Sequence, residues 1–296
     1  MLETAESIGD WMSARAAAEA LEDGPKARAT RSVMEMKPLF VQDFSEPTGP
    51  WNAPEPMACR WSRENGAMEI RAFPRDRPLS IPFDWNGSDL RVRVVVRLRD
   101  IQYGESMQIS VARSGSSWRA DAAMLCGGGG GALWLTPHLA LPDRSYSGPG
   151  ELPVDWATDP PVVTCVLTYV AHLNEWEFAV DDPAGRRLYY LAGPGTAPPA
   201  AGRYGLEIGA RNVHSLLSVS EFDVLRIELE SHPEAVRVVE EPEYPADRAF
   251  CLGDYAAAAR GYADRNDPPA LLRRAYAHAA LVRIESAVAD LTAYRN

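Results

Sequence analysis

"DLRVRVVVRLRD", residues 89–100, alternates without a break. Leu90, Val92, Val94, Val96 and Leu98 fall on one side, and Arg91, Arg93, Val95, Arg97 and Arg99 on the other. A strand sends successive side chains to opposite faces, so this pattern predicts a half-buried strand. Other short apolar or alternating runs flank it: "LFVQDF" (39–44), "AMEIRAF" (67–73), "MQISVAR" (107–113), "ALWLT" (132–136) and "VVTCVLTYV" (162–170). "EWEFAV" (175–180), "RRLYYL" (186–191), "YGLEIGA" (204–210) and "FDVLRIEL" (222–229) continue the series. Pro, Gly, Asn and Asp cluster between them, and no helical segment intervenes. The expected fold is mainly β: an antiparallel two-sheet sandwich of jelly-roll type, with an N-terminal helix and a C-terminal α-helical repeat unit.

"EWEFAVDDPAGRRLYY", residues 175–190, concentrates acids and aromatics. Trp176, Phe178 and Val180 share one face, and Glu175, Glu177 and Asp181 the other. "DDPAG" has turn chemistry, since Asp accepts from nearby N–H groups, Pro fixes φ and Gly tolerates positive φ. The stretch therefore reads as a hairpin. A glycosidase needs two carboxylates across one bond, and two residues apart on one strand could meet that spacing. No E-x-D-x-x-E run accompanies them. Calcium on Asp181 and Asp182 is an alternative, because hard cations take loop carboxylates. The solvated turn is the favoured reading.

The 296 residues allow one sizeable core plus a small second unit. Hydrophobic residues make up 46% and charged residues 24%, an ordinary balance for a globular chain. The net charge of −11 argues against a duplex nucleic-acid surface and against docking on anionic lipid. The start lacks the pattern of a secretory signal, and no apolar run spans a membrane, so the expected location is cytoplasmic. Cys59, Cys126, Cys165 and Cys251 are far apart and read as buried free thiols, with no metal site and no cofactor implied.

Three units are expected. Residues 1–37 give a helix over 3–23, with Ile8, Trp11, Met12 and Leu21 on one face, and a linker over 24–36. Residues 38–230 form the sandwich, and 231–296 an alanine-rich helical unit behind an acidic, proline-marked connector.

Several motifs invite chemistry. "CGGGGGALW" (126–134) lacks the Lys and Ser/Thr of a phosphate loop and reads as a flexible connection between strands. The row Arg91, Arg93, Arg97 and Arg99 could take an anionic glycan, although pairing with acids on neighbouring strands is the simpler account. The five histidines (138, 172, 214, 232, 278) show no H-E-x-x-H, and there is no G-x-S-x-G. Chain order alone leaves a serine–histidine–acid triad open. Trp51, Trp61, Trp85 and Trp118 read as exposed rings on which a sugar could stack, although such residues are more often part of a core or its rim. Trp85, Trp118 and the four arginines are the candidate ligand residues.

The β region resembles the concanavalin A-like, laminin-G-like jelly-roll superfamily. The carrying stretches are "LFVQDFSEPTGPWN", "CRWSRENGAMEIRA", "DLRVRVVVRLRD", "WEFAVDDPAGRRLYYLAG" and "YGLEIGARNVHSLLSVSEFDVLRIEL". The resemblance implies a fold more than a function. The helical unit resembles tetratricopeptide repeats: "GDYAAAARGY" carries Gly253, Tyr255, Ala258 and Tyr262 in the second-helix pattern. Ile284, Ala287 and Leu291 repeat the last three positions 29 residues later, with Val282 where Gly is expected. A groove for a peptide or partner helix follows from that resemblance, with Tyr255, Tyr262, Arg273 and Arg274 as the partner-facing candidates. The combination is similar to accessory regions of some large bacterial serine/threonine kinases, but no kinase motif is present.

The expectation is a non-catalytic binding or scaffold protein with a protein partner, a glycan as a candidate ligand, and about one and a half helical repeats. The competing readings are a carbohydrate-active enzyme on the same sandwich and a calcium-dependent glycan-binding module.

Overall fold

The structure is a computed structural model. It describes residues 25–72, 77–101, 105–129, 132–148, 152–153, 161–198, 201–212, 220–240 and 244–295. The helix expected over residues 3–23 lies outside the described residues.

The described chain opens with α1 (Pro25–Glu35), then β1 (Lys37–Gln42), β2 (Cys59–Ser62), β3 (Ala67–Ala72), β4 (Leu79–Trp85) and β5 (Leu90–Asp100). β6 (Glu105–Arg113), β7 (Arg119–Gly129), β8 (Ala132–Ala140), β9 (Ser145–Ser147) and β10 (Leu152–Pro153) follow. β11 (Val162–Val170), β12 (Glu175–Asp181), β13 (Arg187–Pro194), β14 (Gly202–Asn212), β15 (Ser220–Ser231) and β16 (Val236–Val238) complete the β region. The helical unit is α2 (Pro245–Cys251), α3 (Tyr255–Gly261), α4 (Pro268–Ala280) and α5 (Ile284–Arg295).

The strands form two antiparallel sheets. The first runs β13-β12-β11-β5-β15-β3-β2, with β1 sharing an edge of β15 with β3. The second runs β10-β8-β7-β6-β14-β4-β16, with β9 beside β8. One core fills the space between them, and Leu90, Val92, Val94, Val96 and Leu98 of β5 all point into it. Each such burial is worth up to about 1.5–3 kcal/mol. Trp176, Phe178 and Val180 of β12 are buried in the same core, and residues 175–194 form the expected hairpin.

Four expectations change. Residues 25–35 are helical where a linker was expected. Ala29, Val33 and Met36, spaced by four and three, form a buried face against Val170, and that spacing is a helical stripe. Gly127, Gly128 and Gly129 belong to β7, opposite Trp134, Leu133 and Ala132 of β8. Asp181 faces outward but is buried, because Arg187 lies against it across a bulge in the β12–β13 ladder. The sandwich also extends past residue 230, since β16 pairs with β4.

The helical unit holds four helices, each packed on the next. At Gly261 an added Cβ would stand 2.6 Å from Ala246 Cβ, so only glycine lets α3 approach α2 this closely. Arg248 ties α2 to the sandwich: it donates to Gly49 O (2.6 Å) and Pro47 O (2.7 Å) and stacks 4.4 Å from the Trp51 ring centre. Cys251 Sγ donates to Cys59 O at 2.9 Å. All four cysteines are buried free thiols. Burial pushes the Cys59 thiol well up and the Cys165 thiol up to about 12, which marks them as unreactive core residues. No helix among the described residues is long and apolar enough to cross a membrane.

Candidate functional site

Period two gives each sheet an outer face, and the two faces differ. On the first sheet Arg91, Arg93, Arg97 and Arg99 project outward, as their spacing requires. Arg91 and Arg93 each donate to one oxygen of Glu230 at 2.7 Å. Arg97 and Arg99 pair with Asp223 at 3.5 and 2.9 Å. Burial lowers the Arg91 pKa, with Glu230 opposing it; burial raises that of Asp223, with Arg99 and Arg97 opposing it. The row is therefore paired across the β5–β15 ladder, two arginines to each carboxylate, and α1 lies over its Arg91 end, where Arg91 reaches Val33 O. Glu177, on the same face, accepts from Tyr190 OH at 3.0 Å. Asp182 accepts from the N–H groups of Ala184 and Arg186 (3.0 and 2.8 Å), which makes it the anchor of the hairpin turn.

The expected exposure of four tryptophans is overturned for three. Trp51, Trp85 and Trp118 are buried; Trp61 is half-buried and donates to Phe44 O at 2.9 Å. Trp85 stacks edge-on against Tyr169, Trp176 and Tyr204, and its indole N–H reaches Ser88 O at 3.0 Å. A ring held this way is core. Trp118 packs on Trp176 and Tyr204, but it also reaches the edge of an open cleft.

That cleft lies on the outer face of the second sheet and has a volume of about 340 Å³. Its floor is Ser80 and Pro82 of β4, Ala112 of β6 and Gly205 of β14, positions that alternate with the buried Ile81, Val111 and Leu206. Small residues there leave room above the strands. The exposed tip of the β6–β7 hairpin, with Ser114, Ser116 and Ser117, forms one wall. Tyr244, 43% exposed, and Pro54 form another. Arg119 and Glu207 supply the charged side. Arg119 donates to Glu207 Oε2 at 2.9 Å and to Asp121 Oδ1 at 2.8 Å. Burial disfavours its charge, but Asp121 and Glu207 outweigh that and raise its pKa. Beneath them Gln108 and Ser110 are buried and bonded to each other, and Arg77 donates to Gln108 Oε1 at 3.0 Å.

Glu175 and Glu177 do not line this cleft; Glu207 does, with Asp121 two strands away on the same face. Both give an oxygen to Arg119, so they are joined by an ion-pair bridge rather than facing each other across open space.

A serine, a histidine and an aspartate do meet elsewhere. Ser32 Oγ donates to Asp89 and lies 3.0 Å from His232 Nε2, which is 3.3 Å from Asp89 Oδ2. A catalytic relay needs the acid on the other imidazole nitrogen from the serine. Here one nitrogen meets both partners, and the cluster fastens α1 to the sandwich. Ser32 fell inside the expected linker, which is why its sequence position gave no signal.

In the helical unit, Tyr262 and Arg273 are interior residues, not partner-facing ones. Tyr262 OH donates to Asp247, which also takes Arg273 Nη1 at 3.0 Å, and Arg273 Nη2 reaches Pro54 O at 2.8 Å. Burial and the Asp247 bond push the Tyr262 pKa far up. Arg274 pairs with Asp290 through two bonds of 2.6 and 3.0 Å. Tyr255 is half-buried, 5.3 Å from Phe250 between ring centres. Among the described residues, no three His, Cys, Asp or Glu side chains gather as a metal site would require.

No protein-family model and no curated protein matches the chain. Among solved structures, it is similar to the basic winged bean lectin with Tn-antigen: 11% identity, 67% of this chain, 98% of that chain, TM-score 0.41. It is likewise similar to the Lotus tetragonolobus seed lectin, at 7% identity over 68% of this chain and 99% of that one, TM-score 0.42. A xylan beta-1,4-xylosidase from Bacillus halodurans C-125 shows 8% identity over 66% of this chain, TM-score 0.47. The match spans 40% of that xylosidase. These likenesses concern the course of the chain alone.

Proposed function

We propose that the chain is a non-catalytic binding protein whose sandwich, a lectin-like jelly roll, holds a carbohydrate in the cleft above β4, β6 and β14. The observation that carries this reading is the grouping there of an exposed tyrosine ring, three serines and a fixed Arg119–Glu207 pair over a small-residue floor. A sugar needs both an apolar face and convergent polar groups, and such a mixed lining meets that need. The bridge between Glu207 and Asp121 supports binding over hydrolysis, because glycoside cleavage wants two carboxyls free to face one bond. The helical unit keeps the role of binding a protein partner; the exposed Ile284, Val288 and Leu291 on α5 support it.

The test is a glycan array followed by calorimetry on the ligand found. Tyr244→Ala and Glu207→Gln are each expected to weaken binding about tenfold, and chelator to leave it unchanged. Cleavage of a polysaccharide that disappears in Glu207→Gln would replace the reading with the enzymatic one. Binding lost on chelation would replace it with the calcium-dependent one.

A further inference from the structure

We propose that the helical unit carries a second ligand site, a groove that binds a small phosphate- or sulfate-bearing molecule through Arg260 and Arg283. The groove runs between α3, the end of α4 and α5, and has a volume of about 510 Å³. Arg260, Arg274, His278, Arg283, Ser286 and Asp290 supply its polar lining. Asp290 is spent on Arg274, which its side chain bonds twice. The two form a close ion pair, which contributes no net charge. Arg260 and Arg283 are exposed and have no carboxylate partner among the described residues. Two uncompensated guanidiniums therefore face one groove, in a chain of net charge −11.

The rest of the lining suits an oxyanion. Alanines 259, 263 and 289 leave the groove wide. The Ser286 hydroxyl can donate, and His278 Nδ1 is buried with no hydrogen-bond partner. Guanidinium groups match tetrahedral oxyanions with paired N–H donors, and an exposed arginine with no carboxylate partner can offer them. Two charges are too few for a nucleic-acid backbone or for an anionic lipid surface, each of which needs a wider cationic patch. The shared chemistry is a dianionic oxyanion, free or as a monoester. This site is independent of the sandwich cleft.

The experiment is calorimetry on the full chain at low ionic strength with inorganic phosphate, sulfate and O-phosphoserine, and with chloride as control. Saturable binding of at least one oxyanion and none of chloride is expected. Arg260→Ala and Arg283→Ala should each weaken it about tenfold and the double variant should abolish it. Arg71→Ala, on an exposed arginine of β3, should change nothing. Tighter binding of phosphoserine than of phosphate identifies the ester as the ligand form; equal binding identifies the ion. Thermal melting checks that the variants fold, and because both arginines are exposed it should not move. Absence of binding at millimolar oxyanion, or binding unchanged in the folded double variant, overturns the proposal.

Discussion

The two outer faces of the sandwich are built from the same alternation, yet one is closed by the chain itself and the other is open. On the first sheet, long arginines find acids one strand away and α1 lies over the Arg91 end of the row. On the second, the equivalent positions near the β6–β7 hairpin are serine, proline, alanine and glycine. The difference shows that charge on a strand marks a site poorly. Charged side chains are long enough to reach a partner one strand away and cover the sheet, whereas short ones leave the space a ligand needs. The helical unit repeats the contrast: α2 is sealed against the sandwich by Arg248 and Arg273, while α5 leaves Ile284, Val288 and Leu291 exposed.

The sharpest way to break the comparison is at its closed side. Glu230→Ala strips Arg91 and Arg93 of their shared partner, and Arg91 has a side chain only 9% exposed. Removing one partner of a buried ion pair costs about 3–5 kcal/mol, so urea unfolding should lose roughly that much. A loss below about 1 kcal/mol would mean this face is as loosely held as an ordinary surface. Arg273→Ala, which leaves Asp247 buried without its cation, should cost about 3 kcal/mol by the same reasoning. It should also loosen α4 against the sandwich by removing its bond to Pro54 O, read as earlier proteolysis in residues 244–267, while Arg248 still holds α2.

A middle-sized effect is expected at Ser32→Ala. It removes one donor to Asp89, whose other oxygen accepts from Ala171 N at 2.6 Å. A hydrogen bond to a charged group is worth about 1.5–3 kcal/mol, and His232 remains to compensate in part. A loss near 1 kcal/mol, with faster amide exchange confined to α1, would locate the closure of the first face in this cluster. Unchanged exchange in α1 would show that Ala29, Val33 and Met36 hold it alone.

The alternation in residues 89–100 and 175–180 was enough to read the sheets, because period two is a property of the backbone and needs no knowledge of neighbours. The pairing of Arg91 and Arg93 with Glu230 needs strand order, which alternation does not contain; the ladder joins residues some 140 positions apart. The tryptophans misled for a related reason. Trp85 and Trp118 sit near loop ends in sequence, yet the aromatic cluster draws them inward. The cleft was the least legible part, since Ser80, Ala112 and Gly205 have no chemistry of their own. Their signal is an absence of bulk at outward positions of three adjacent strands. In the helical unit the spacing between Gly253 and Val282 was legible, and both positions have positive φ, +74° and +59°.

That last pair gives a stabilising prediction on the open side. Gly253 adopts the left-handed conformation at no steric cost, whereas a β-branched residue pays about 1–2 kcal/mol there. Val282 is 79% exposed, so its side chain returns little. Val282→Gly should raise stability by about 0.5–1 kcal/mol, after the greater entropy of glycine in the unfolded chain is subtracted. A destabilised variant would mean that Val282 is held by contacts its exposure does not reveal.

The smallest stability change is expected at Arg119→Ala, and it tests the open face most directly. Arg119 has a side chain 36% exposed, and its two carboxylate partners, Asp121 and Glu207, keep 14% and 27% exposure. Released from Arg119, both can turn to water, so the loss should stay below about 1 kcal/mol, against the 3 or more expected at Glu230. Binding should respond in the opposite proportion. Without the guanidinium, Glu207 loses its 2.9 Å bond and keeps, among the described residues, only Arg77 Nε at 3.9 Å, so a ligand that bonds to it must order it first. An affinity loss of about tenfold with nearly unchanged unfolding would separate the two faces by function as well as by packing. A large loss of stability with no change in binding would make Arg119 a brace like Arg91, and the second sheet would then be a closed face too.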